Sequence, residues 1–134
     1  MARIDLTLRI ILADPPAGVV FSLQDAKSRP VDATPAGGGD LSFDIPITLT
    51  ETPDGLRPGG GFVRADGSGR FVYVASGQQA GQSHTEWSRR IKIYLNDLPA
   101  AEAGAVLTAT IAGRNKDGGP ACATVPLLST WRRV

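Results

Sequence analysis

The stretch Arg3-Ile4-Asp5-Leu6-Thr7-Leu8-Arg9-Ile10-Ile11-Leu12 decides the fold. Ile4, Leu6, Leu8, Ile10 and Leu12 alternate with Arg3, Asp5, Thr7 and Arg9, a period of two that marks a half-buried strand. Leu41, Phe43, Ile45, Ile47 and Leu49 repeat the pattern against Ser42, Asp44, Thr48 and Thr50. Pro46 falls on the outward face of this second stretch. It cannot donate to a neighbouring strand, so a sheet edge or a bulge is expected there.

Working outward, Asp14-Pro15-Pro16-Ala17-Gly18 breaks the first strand, because two prolines remove two ladder donors. Val19, Phe21 and Leu23 mark one face of the next strand. Residues 27–39 and 52–61, rich in proline and glycine, read as loops. Strands are expected near 62–65 and 70–75, joined by the hairpin signal Asp66-Gly67-Ser68-Gly69. The polar segment 77–86 reads as an exposed, mobile loop. A further strand covers about 87–95. Asp97 then caps a single helical turn over 98–103, closed by Gly104. Strands at 105–112 and about 121–128 flank a glycine-rich turn at 113–119. About eight short strands with these turn signals predict an all-β, two-sheet antiparallel β-sandwich, in one domain spanning 1–134. A closed β-barrel is the alternative.

Composition supports this reading. Glycine (16) and proline (10) are too frequent for a helical bundle, and they concentrate in the gaps between the alternating runs. The net charge of +1 argues against a general nucleic-acid or membrane-surface binder. Charge is unevenly spread: residues 1–56 carry net −4, residues 57–92 net +4, and residues 93–134 net +1. Arginines outnumber lysines 11 to 3, which suits planar contact with carboxylate or phosphate. Cys122 is alone, so neither an internal disulfide nor a cysteine-built zinc site is expected. The first residues mix charges with apolar side chains and lack the core of a signal peptide, and no run has the length of a membrane span. The cytoplasm is the expected location.

Residues suited to catalysis are scarce. His84 is the only histidine, and Ser83 and Glu86 beside it do not make a triad, since neighbours in an extended segment point apart. Cys122 has no local cation except Lys116 across the turn. Asp5 and Asp44 face outward on strands. The glycine tracts at 37–39 and 59–61 lack the lysine, hydroxyl and helix of a phosphate loop. No catalytic residue, metal site or cofactor is therefore expected.

The segment Trp87-Ser88-Arg89-Arg90-Ile91-Lys92-Ile93-Tyr94-Leu95 is the most informative. In a regular strand Trp87, Arg89, Ile91, Ile93 and Leu95 share a face, so one arginine borders the core and needs a partner. One reading sets Arg89 at the sheet rim, its stem over Trp87 and its head on an acid from the first third. A second lines a shallow groove for an anionic group with Arg64, Arg70, Trp87, Arg89 and Arg90. A bulged register, which would reassign the faces, is the third. Trp131, followed by Arg132 and Arg133, reads as the anchor of the C-terminal tail.

Pro15-Pro16-Ala17-Gly18-Val19 with Phe21-Ser22-Leu23-Gln24, then Gly61-Phe62, Arg70-Phe71-Val72-Tyr73 and Trp87-Ser88-Arg89-Arg90-Ile91-Lys92, resembles a family of small uncharacterised bacterial proteins. That family is known as a domain of unknown function, and the resemblance covers roughly residues 4–113. It implies neither a catalytic residue nor a ligand. The expected function is a non-catalytic binding module for a small anionic or polar ligand or a protein partner. A structural role as a homodimer and a small hydrolase using His84 are the other readings.

Overall fold

The computed structural model describes residues 3–24, 30–53, 55–67, 69–79, 85–95, 98, 101–115, 118–120, 124–125 and 131–134. Among these, twelve strands, numbered along the chain, form two six-stranded sheets. The first sheet holds β1 (Arg3–Ala13), β4 (Thr34–Gly37), β5 (Asp40–Thr52), β6 (Gly55–Gly59), β10 (Val106–Ala112) and β12 (Arg132–Arg133). Its order is β12-β10-β1-β5-β4, with β6 also on β5. The second sheet holds β2 (Val20–Gln24), β3 (Pro30–Asp32), β7 (Arg64–Asp66), β8 (Gly69–Gln79), β9 (Thr85–Tyr94) and β11 (Thr124–Val125). Its order is β11-β9-β8-β2-β3, with β7 also on β8.

The sheets pack as a β-sandwich, and neither closes into a barrel. The core follows from the two alternating stretches. Leu6, Leu8 and Ile10 on β1 stand level with Ile47, Ile45 and Phe43 on β5, all buried. Phe21 and Leu23 of β2, Val72 and Val74 of β8, and Ile91 and Ile93 of β9 meet them from the other sheet. On the wet face of the first sheet Arg9 stands opposite Asp44 and grips it with two hydrogen bonds, Nε to Oδ1 at 2.9 Å and Nη2 to Oδ2 at 3.1 Å.

Pro46 sits where its missing donor does no harm. On one side it faces Thr7 of β1, and Thr7 spends its own N–H on Ala105 of the opposite neighbour. On the other side β4 pairs with β5 only over Asp40–Ser42, and β6 begins pairing at Thr48, so Pro46 lies on a local edge between them. The hairpin also forms, with Asp66 paired to Gly69 and its Oδ1 accepting the Gly69 N–H at 3.2 Å.

Other expectations are corrected. The segments 27–39 and 52–61 are not simply loops, since they contribute β3, β4 and β6. These are short edge strands, where proline and glycine are tolerated because one row of backbone groups faces solvent. The polar segment 77–86 is partly strand, because β8 runs to Gln79 and β9 begins at Thr85. His84 lies outside the described residues, as do Cys122 and most of the last strand. Of the helical turn expected over 98–103, residues 99 and 100 lie outside the described residues, as does its cap Asp97. Glu102–Ala105 is a turn closed by the Ala105 N–H on the Glu102 carbonyl at 3.0 Å, with Gly104 at φ 82°. Pairing is mixed, since β1 with β10 and β9 with β11 run parallel. Among the described residues no helix is long and apolar enough to cross a membrane.

Candidate functional site

Along β8 the residues Arg70, Val72, Val74 and Ser76 share the core-facing side, and β9 offers Arg89, Ile91 and Ile93 to the same side. An inward arginine therefore stands at each end of the sandwich. The five arginine-set residues divide accordingly and do not line one groove.

Arg89 closes one end. It pairs with Ser76, and its Nη1 donates to the Pro120 carbonyl at 2.8 Å. Pro120 is bridged to Arg114, whose Nε lies 3.5 Å from Asp14 Oδ2. Gly113 lies against the same crossing, its N–H on the Ala13 carbonyl at 2.7 Å. A Cβ on Gly113 would meet Pro15 Cα at 3.0 Å, so only glycine fits without displacement. The proline-rich break at 14–18 is thus the chain crossing that caps this end. One partner of Arg89 is a backbone carbonyl.

A bulge in β9 separates Trp87 from Arg89. The register shifts so that Ser76 meets Arg89 while Gly77 meets Trp87, and Ser88 is the extra residue. Gly77 lies on the other side of β8 from Ser76, so Trp87 and Arg89 do not share the face that a regular strand would give them.

Arg64 and Arg90 converge on the outer face of the second sheet. Their guanidinium carbons lie 5.2 Å and 5.1 Å from the ring centroid of Tyr73. Lys92 sits 4.3 Å from the Phe71 ring and ion-pairs with Asp66 at 2.6 Å, which holds the ammonium above its ordinary pKa mainly through that hydrogen bond. Tyr94 donates to the same Asp66 oxygen at 2.8 Å. Much of this surface is therefore spent on its own rings and its own acid.

Arg70 goes to the remaining end. It borders an open cleft of about 490 Å³ between the sheets, lined by Leu49, Leu56, Pro58, Leu95 and Leu98, with Arg57 on its β6 side. Neither Arg57 nor Arg70 ion-pairs among the described residues. Opposite charge is missing from the lining as well, since the residues around the cleft include neither Asp nor Glu among those described.

The model of a family of unknown function, DUF5990, matches residues 6–134. The chain belongs to that family. No curated protein and no solved structure matches it. The match reaches beyond the segment on which the resemblance rested, and takes in the Gly113–Pro120 region and the Trp131 anchor. In this DUF5990 chain Trp131 is buried in the core cluster and β12 pairs with β10, so the tail is held down as expected.

Sequence reasoning missed the cleft because its walls come from five separate segments. One signal was available. The alternation Arg70, Val72, Val74 puts an arginine on the core side as plainly as the run ending at Ile93 does for Arg89.

Proposed function

We propose that the protein is a non-catalytic binding module that seats a small anionic ligand in the cleft at the Arg70 end, acting in the cytoplasm. The observation that carries this reading is a core-facing arginine, with no ion pair among the described residues, at the mouth of a cleft walled in part by leucines. Small-molecule sites are typically concave and combine apolar walls with a few polar groups that fix orientation, and this cleft sets leucines beside two arginines. A guanidinium that borders the core has reason to acquire a partner, because charge near apolar surroundings is costly unless paired. The outer face around Tyr73 supports the reading less well, since Asp66 already answers its lysine.

Thermal unfolding with a panel of small anions tests this. A ligand that binds only the folded chain raises Tm by mass action. The expected result is a rise that Arg70→Gln removes and Arg90→Gln leaves in place. A rise that survives Arg70→Gln would sink the assignment.

A further inference from the structure

The lining of the cleft specifies more of the ligand than its charge. Leu49 and Leu95 close its floor, 2% and 1% exposed. Leu56, Pro58 and Leu98 stand around that floor, and Leu56 is 52% exposed, one of few large apolar side chains so open among the described residues. Thr52 offers no free donor, because its Oγ1 donates to the Gly55 carbonyl at 2.7 Å. The charged donors of the cleft are Arg57 and Arg70. Thr52, Gly55 and Gly69 complete a lining of mixed character, and the leucines with Pro58 offer its apolar contact.

A guanidinium presents a planar fork of N–H donors that matches the two oxygens of a carboxylate. Arg57 stands on the β6 side of the same cleft, so charge alone does not choose between a carboxylate and a phosphate. Inorganic phosphate would leave Leu49, Leu56, Leu95 and Leu98 uncovered, whereas a carboxylate on a hydrocarbon chain covers them. We infer that the ligand is an aliphatic monocarboxylate, its carboxylate on Arg70 and its chain over Leu49, Leu56, Leu95 and Leu98. This rests on the cleft being the binding site. Leu56 then loses its exposure when the ligand arrives, and the apolar area removed from water supplies affinity in proportion to chain length.

Isothermal titration calorimetry with butyrate, hexanoate, octanoate and decanoate, each beside the alcohol of the same chain, tests the inference. Kd should fall about fourfold for each methylene buried. Arg70→Gln should weaken the acids by about tenfold or more and leave the alcohols unchanged. Leu56→Ser, at an exposed position that leaves folding intact, should flatten the dependence on chain length. Arg70-dependent binding that ignores chain length overturns the aliphatic assignment while the anion reading stands. The same holds if carboxylates gain nothing over alcohols and inorganic phosphate alone protects through Arg70. Absence of any Arg70-dependent anion effect overturns both.

Discussion

The two ends of the sandwich begin from the same arrangement and finish differently. At each, a strand of the second sheet carries an arginine on its core-facing side, Arg70 on β8 and Arg89 on β9. At the Arg89 end the chain crosses between sheets through Pro15 and Pro16, Gly113 and Arg114 lie beside that crossing, and Arg114 is bridged to Pro120. Pro120 then supplies a carbonyl to the guanidinium. At the Arg70 end β6 and Leu98 leave a cleft, and no described side chain or carbonyl answers the charge. The strand pattern sets the arginine's direction. What covers the end decides whether that arginine is tied to the fold, as Arg89 is, or left facing a cleft, as Arg70 is.

The largest expected effect tests whether the open end is as well packed beneath its cleft as the closed end is. Leu95 is buried on the cleft floor, so Leu95→Ala should destabilise the fold by about 2–5 kcal/mol in urea denaturation. Leu56→Ala, on the exposed wall, should change stability by less than about 0.5 kcal/mol. Equal costs for the two would mean that the cleft is a loosely packed core edge, and the contrast between the ends would lose its meaning.

Next in size is the direct exchange between the arginines. Arg89→Ala leaves the Pro120 carbonyl without its donor in a partly buried rim, at a cost of about 1–3 kcal/mol. Arg70→Ala removes a group with no described partner and should stay within about 0.5 kcal/mol of the parent. Urea midpoints for the pair decide it. If Arg70→Ala proves the more costly, Arg70 holds the fold together and the cleft is structural.

Much of this contrast was legible in the residues, and the part that was not has physical reasons. Alternation in Ile4–Leu12 and Leu41–Leu49 places the core side of both long strands correctly, because one buried face imposes a period of two. The proline at 46 signals its edge for the same kind of reason: a missing donor needs an unpaired side. Alternation is silent on direction, so the parallel pairing of β1 with β10 left no trace in it. The short strands over Pro30–Asp32 and Gly55–Gly59 carry turn residues that sheet edges tolerate, and composition reads them as loops. Ser88 realises the bulged register among the readings of Trp87–Leu95, because a single bulged residue moves everything beyond it to the other side. The cleft required Leu49, Arg70 and Leu98 to meet, which is a property of how the sheets stack and not of any segment.

The smallest expected effect uses pH to set the ends apart from the sheet face between them. On the first sheet Arg9 holds the Asp44 carboxyl below its ordinary value, chiefly through the paired hydrogen bonds. The unfolded chain therefore takes up this proton at higher pH than the folded one. The stabilisation is complete above the unfolded pKa and is lost as pH falls through the lower folded pKa. Both side chains are substantially exposed, so the contribution is screened and should stay under about 1 kcal/mol. Asp44→Asn should remove this share of the acid-dependent loss, measured as the change in urea midpoint between neutral and strongly acid buffer. Arg70→Ala and Arg89→Ala should both keep it, since neither end touches the pair and distant sites add independently. If Arg89→Ala abolished the acid-dependent loss and Asp44→Asn did not, the titrating group would belong to the closed end, and that end's cohesion would rest on a charge that the Pro120 carbonyl alone does not supply.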